Sequence, residues 1–211
     1  MNDYIVEIKE IYSTIKGEIQ SRLDKFKQIG LAGNDEDIFA ELVFCILTPQ
    51  SRAKICWKAV QNLIKKNLLF NGNENQIAKE LYGVRYHNNK SRYIVEARAQ
   101  LKNFAKVLNF RKGSINKTRE WLVKNIKGFG YKEASHFLRN IGFGENIAIL
   151  DRHILKNLKL LNVIDEIPKV LLKNKYLVIE KKIRKFSEEI NISLNHLDLV
   201  LWYKETGEIF K

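Results

Sequence analysis

The sequence predicts an all-α protein. Apolar residues recur every three or four positions over almost the whole chain, no segment alternates as a strand does, and 211 residues contain two prolines. About ten helices account for the pattern. Ile5, Ile8, Ile11, Tyr12, Ile15, Ile19, Leu23 and Phe26 form one face of a first long helix, which residues 30–34 break. Asp35 caps a second run to Leu47 that is apolar on most sides and therefore central. In the interruption Thr48-Pro49-Gln50-Ser51, Pro49 fits the first turn of a third helix reaching about Lys66. Residues 71–75 are a polar turn, a short helix follows to Tyr82, and 83–89 are a polar loop. A long helix then covers about 90–108, and Gly113 ends that region. Ser114 caps a helix carrying Trp121 and Leu122. Lys127-Gly128-Phe129-Gly130-Tyr131 ends it, and a new helix starts at once and reaches Ile141. Gly142 and Gly144 bracket a turn, Asp151 opens a helix through Leu160, and two more run over about 168–190 and 193–204. No internal repeat or flexible linker divides the chain, so residues 1–211 read as a single unit.

Charge narrows the function. Thirty-seven Lys and Arg face 24 Asp and Glu, a net charge of +13, which favours an anionic partner with nucleic acid first among them. The competing reading is that the lysines only solvate the surface, and it is preferred for 169–185, where seven basic residues accompany Glu180. No apolar stretch approaches the ~18 residues of a membrane span. The opening MNDYIVEIKE lacks a signal-peptide pattern, so a cytoplasmic, intracellular location of prokaryotic type is expected. Cys45 and Cys56 are the only cysteines and sit in apolar helical runs, as small buried residues do. They are too few to hold zinc or an iron–sulfur cluster by cysteine alone. The histidines at 87, 136, 153 and 196 show no metal-ligand spacing, so no metal site is expected.

The most specific feature is LVKNIKGFGY, residues 122–131, continued by Lys132. Two helices joined by Gly128-Phe129-Gly130 form a helix–hairpin–helix. Its turn amides and following helix N-terminus suit a phosphate oxygen and so grip DNA without reading sequence. A Gly-x-Gly between helices serves equally as a C-cap and tight turn. Lys132 falls in the first turn of the second helix, where the positive helix end disfavours an ammonium and favours the neutral, nucleophilic amine. Nineteen residues later Asp151 stands at a helix start, either as a cap or as a carboxylate beside the lysine.

KGFGYKEASHFLRNIGFGENIAILDRHIL closely resembles the helix–hairpin–helix DNA glycosylase superfamily. ELVFCILTPQSRAKICW, VRYHNNKSRYIVEAR and LDLVLWYKETGEIFK look like one branch of it, the type 2 (archaeal-type) 8-oxoguanine DNA glycosylase/AP lyases. The resemblance covers residues 40–211. The iron–sulfur cysteines of the endonuclease III branch and the amino-terminal β-domain of the eukaryotic 8-oxoguanine enzymes are absent.

This resemblance implies two helical subdomains flanking the hairpin, at about 115–141, with a DNA-binding cleft between them. The C-terminal helices then span 151–204, and a tail, 205–211, closes the base pocket. It implies a bifunctional enzyme that acts as a monomer on double-stranded DNA containing 8-oxoguanine. Lys132 attacks C1′ of an extruded nucleotide, the base leaves, and β-elimination through a Schiff base nicks the strand. Asp151 assists deprotonation and stabilises charge on the sugar. No cofactor is implied beyond a structural monovalent cation on the hairpin carbonyls. Gly128, Phe129, Gly130 and His153 are expected at the DNA backbone, His153 with a plain surface role as the alternative. Gln50 and the segment Tyr86, His87, Asn88 and Asn89 are expected as wedges against the opposite strand; a solvated turn is the other reading of the two asparagines. His136 and Trp202 are placed at the base pocket, each with a core role as alternative. The chain end at Lys211 is expected to read the lesion's N7–H, or else to fray. Two other functions share these features: a related bifunctional glycosylase for another oxidised base, and a non-catalytic helix–hairpin–helix DNA-binding module.

Overall fold

The computed structural model of the chain describes residues 3–32, 35–109 and 114–211, with the side chains of 32 and 101–109 outside the description. Among the described residues there are eleven α-helices and no strand. They are α1 (Asp3–Ala32), α2 (Asp35–Leu47), α3 (Ala53–Lys65), α4 (Leu68–Asn71), α5 (Glu74–Glu80), α6 (His87–Asn109), α7 (Ile115–Asn125), α8 (Tyr131–Asn140), α9 (Arg152–Leu160), α10 (Lys173–Glu189) and α11 (Leu194–Thr206). The helices group into two compact units: Met1–Leu31 with Leu138–Lys211, and Ala32–Phe137. None is long and apolar enough to cross a membrane.

In the first unit the expected stripe of α1 is buried through Ile8, Ile15, Ile19, Leu23 and Phe26. Ile154 and Leu158 of α9, Ile183 of α10 and Leu197 and Leu201 of α11 are buried in the same unit. In the second unit α2 is central as expected: every residue from Ile38 to Leu47 is buried. Each fully buried Leu, Ile or Phe contributes roughly 1.5–3 kcal/mol, so α2 is the element on which that unit's stability rests.

Several helix boundaries differ from the sequence reading, each for a physical reason. α1 runs on through Gly30, which is glycine because of close packing: a Cβ there would lie 2.1 Å from the Ile141 carbonyl oxygen. Pro49 does not open α3. It sits in a turn closed by the Ser51 N–H on the Thr48 carbonyl (3.0 Å), and Arg52 is the N-cap. The polar run 71–75 holds the last residue of the four-residue α4 and then the start of α5, where Asn73 and Gln76 form a capping box. α6 begins at His87, so His87, Asn88 and Asn89 form its exposed first turn and are not loop. Pro168 does not start α10, whose N-cap is Leu172. Ser114 is the N-cap of α7, but its side chain makes no capping bond. The expected stop at Gly113 lies outside the described residues.

The two α1 glycines give a paired test. Gly30→Ala should destabilise by about 1–3 kcal/mol through overpacking. Gly17→Ala, with nothing within 4 Å of its Cβ position, should stabilise by about 0.5–1 kcal/mol. Urea titrations of both variants check this; equal effects would remove the packing explanation for Gly30.

Candidate active site

The hairpin is built from α7 and α8. Ile126 ends α7 by donating its N–H to the Leu122 carbonyl (2.9 Å). Gly128 follows with φ +84°, and a Cβ there would come within 2.9 Å of the Tyr93 ring, so both conformation and space require glycine. Phe129 is 7% exposed and packs on Phe137 with ring centroids 6.4 Å apart, which anchors the turn. Arg119 of α7 is buried, donates to Ser135 Oγ of α8 (3.2 Å) and lies 5.2 Å from the Tyr131 ring. These contacts hold the two helices as one piece.

The hairpin amides are less open than the sequence suggests. Phe129 donates its N–H to the Ile126 carbonyl (3.2 Å), and Gly130 donates to Glu133 Oε2 (3.0 Å). That glutamate stands three residues into the helix start, the capping position for a Glu. Of the three hairpin amides, only that of Gly128 has no acceptor among the described residues. Lys132 is half-buried at the second position of α8, and its Nζ lies 3.6 Å from Glu133 Oε1. One carboxylate therefore closes the helix start and accompanies the amine.

The expected wedge residues come together in the second unit. A cavity of about 190 Å³ is lined by Pro49, Gln50, Tyr86, Asn89, Tyr93 and Gly128. Gln50 and Tyr86 both hold the left-handed backbone region, each at φ 57°, and both are exposed. Lys90 explains how these turns keep their shape. Its buried Nζ donates to the carbonyls of Leu47 (2.7 Å) and Pro49 (2.7 Å) and to Ser51 Oγ (3.2 Å). Ser51 Oγ also accepts the Arg85 N–H (3.0 Å), which ties the Gln50 turn to the Tyr86 turn. Burial pushes the Lys90 ammonium below the usual lysine range. The same burial pushes the nearby Cys56 thiol up to about 11, and its S–H donates to the Leu47 carbonyl. His136 is 7% exposed with its ring edge-on to Phe44 at 5.5 Å, inside the apolar body of this unit.

The first unit carries the rest. Asp151 is the N-cap of α9: its Oδ1 accepts the N–H groups of His153 (2.8 Å) and Ile154 (2.8 Å). No other hydrogen bond reaches its carboxylate among the described residues, which leaves Oδ2 for chemistry. His153 and Trp202 stand edge-to-face, 5.6 Å apart at 88°. Glu205 Oε2 lies 3.5 Å from His153 Nδ1, and Glu205 also accepts from Lys156 and Asn157. Burial alone would raise the Glu205 carboxyl, but the hydrogen bonds from Lys156 and Asn157 hold it below the ordinary carboxylate range. The tail is packed to its end. Ile209 is buried, its carbonyl accepts from Arg22 (3.4 Å), and Lys211 is half-buried.

Comparison with known proteins decides the family. The family model described as 8-oxoguanine DNA glycosylase matches residues 19–192. The chain belongs to the 8-oxoguanine DNA glycosylase family. A relative named 8-oxoguanine DNA glycosylase/AP lyase from Fusobacterium nucleatum is 50% identical over 218 residues, covering 100% of this chain and 99% of the relative. The crystal structure of the Thermotoga maritima 8-oxoguanine DNA glycosylase matches with a TM-score of 0.91 at 37% identity, covering 100% of both chains. The Methanocaldococcus jannaschii 8-oxoguanine glycosylase/lyase, solved with a 15-mer DNA containing 8-oxoguanine, gives 0.90 at 39% identity over 98% of this chain and 99% of that one. Membership bears out the branch resemblance.

Lys90, Glu133 and Glu205 hold or contact the candidate site residues, and sequence reasoning missed them. Only Glu133 had a local signal, its capping position. Lys90→Met leaves the Leu47 and Pro49 carbonyls without their amine and should cost about 2–4 kcal/mol. Urea unfolding of the variant measures this, and a loss below about 1 kcal/mol would show that the amine does not hold the turn.

Proposed function

We propose that this chain excises 8-oxoguanine from double-stranded DNA inside the cell and then nicks the abasic strand by amine chemistry at Lys132. The observation that carries the reading is a half-buried lysine in the first turn of the second hairpin helix, in a chain of this family. The hairpin receives the DNA backbone, with the Gly128 amide as its open donor and His153 as a phosphate contact. Gln50, Tyr86, His87, Asn88 and Asn89 face the opposite strand, where Gln and Asn side chains can bond the orphaned base. The lesion base, out of the stack, is met by Trp202 and the tail that ends at Lys211. His136, edge-on to Phe44 in the second unit, is read as a further base-pocket residue.

The chemistry uses the chain's own groups. The neutral Lys132 amine attacks C1′ of the deoxyribose as the C1′–N9 bond breaks, and the departing base takes up a proton. One amine proton is lost, the sugar ring opens as O4′ takes up a proton, and the nitrogen is left as a protonated imine. Removal of a C2′ proton then expels the 3′ phosphate. Asp151 Oδ2 stabilises the oxocarbenium-like charge and takes the amine proton, while Oδ1 stays committed to the helix cap.

Borohydride trapping on a duplex with 8-oxoguanine opposite cytosine tests this. The wild type should form a covalent adduct and release the base, and absence of both would sink the reading. Lys132→Gln should lose trapping and excision while DNA binding survives, because the grip does not use the amine. An adduct at the wild-type rate would remove Lys132 as nucleophile. Asp151→Asn keeps an oxygen for the two backbone N–H groups and should fold, yet excise about 10²–10⁴ times more slowly. If circular dichroism shows that the variant is unfolded, the cap is the main role of Asp151.

A further inference from the structure

The segment that delivers Asp151 is extended and buried, yet it lies in no sheet. Residues 147–150 are buried, and among the described residues no strand pairs with them. Their main-chain groups still need partners. One face of α10 supplies them. Tyr176, Glu180 and Arg184 recur every fourth residue, about 6 Å per step along a helix. Alternate residues of an extended chain advance by about 6.6–6.8 Å, so the two repeats match over this length. Arg184 Nη2 donates to the Asn146 carbonyl (2.7 Å). Glu180 Oε1 accepts the Ala148 N–H (2.9 Å). The Tyr176 hydroxyl donates to the Ala148 carbonyl (2.6 Å) and accepts the Leu150 N–H (3.3 Å). Tyr176 is 1% exposed and Glu180 3%, so both are committed to this contact. Immediately after it, Asp151 donates its own N–H to the Ile149 carbonyl (3.0 Å), and the chain turns into α9.

We infer that this face of α10 is a rail that sets the position of the Asp151 carboxylate, and that Tyr176 and Glu180 are positioning residues for base excision. The inference rests on the role of Asp151 proposed above. Because Oδ1 is held by the first amides of α9, the direction of Oδ2 follows the backbone at 149–151. That backbone is registered by the rail. A displacement of about 1 Å in a catalytic group can cost about a hundredfold in rate.

The test is single-turnover excision of 8-oxoguanine, with rates normalised to DNA-binding-competent protein. The wild type is the control for function: if it does not excise, the proposed function fails before the rail is tested. Tyr176→Phe should slow excision by about 10–100-fold with DNA affinity within about twofold of wild type, since Tyr176 is buried and does not reach the surface. Glu180→Gln retains an oxygen for the Ala148 N–H and should stay within about threefold of wild type, while Glu180→Ala should fall with Tyr176→Phe. Adding Tyr176→Phe to Asp151→Asn should slow that variant no further, because an effect transmitted through Asp151 disappears with it. Should Tyr176→Phe fail to fold, the Glu180 pair carries the test. Wild-type rates in folded Tyr176→Phe and Glu180→Ala would overturn the inference, as would equal losses in Glu180→Gln and Glu180→Ala. Additive losses in the Asp151→Asn background would also overturn it, because they would mark a general structural role.

Discussion

The first amides of an α-helix have no backbone acceptor, and the way this chain satisfies them at two helix starts determines where the side chains proposed for catalysis stand. At α8 the Glu133 carboxylate takes the Gly130 N–H, which sets the turn and leaves Lys132 on the first turn beside that same carboxylate. At α9 Asp151 takes two N–H groups on one oxygen and keeps the other. In both places one carboxylate oxygen closes a helix; the other lies beside Lys132 at α8 and takes no hydrogen bond among the described residues at α9. The positive end of each helix helps to hold these carboxylates.

The remaining parts of the site depend on the same kind of bond, a side chain satisfying main-chain groups of a turn or extended segment. Lys90 holds the carbonyls of Leu47 and Pro49, so Gln50 can keep a left-handed conformation that costs a non-glycine residue free energy. Its bond to Ser51, and that of Ser51 to Arg85, link the turn of Gln50 with that of Tyr86. The α10 face does for residues 146–150 what Lys90 does for 47–51. The candidate site is built on irregular segments that helices hold through buried polar contacts.

Features whose cause is local were legible in the sequence. Asp151 as a helix cap, the Gly128 turn, the apolar stripe of α1 and the burial of α2 follow from one residue and its near neighbours. The family motifs extended that reading to the proposed roles of Lys132 and the wedge segments. Features whose cause is distant were not legible. Gly30 reads as a helix breaker, but its reason is Ile141, more than a hundred residues later. Lys90 reads as one more lysine in a basic chain, and its acceptors lie some forty residues earlier. Glu180 reads as the one acid in a solvated basic run, yet it points inward to the Ala148 amide while the lysines around it stay exposed. Pro49 and Pro168 are good helix starters by propensity, but the next helix begins a few residues after each.

The measurement that bears most directly on the central claim is the location of the covalent bond. Wild-type protein trapped with borohydride on an 8-oxoguanine duplex, digested and sequenced by mass spectrometry, should carry its sugar adduct on one peptide, at Lys132. Twenty-seven lysines and the terminal amine compete for that bond, so the result discriminates well. An adduct concentrated on any other amine, Lys90 included, would contradict the account.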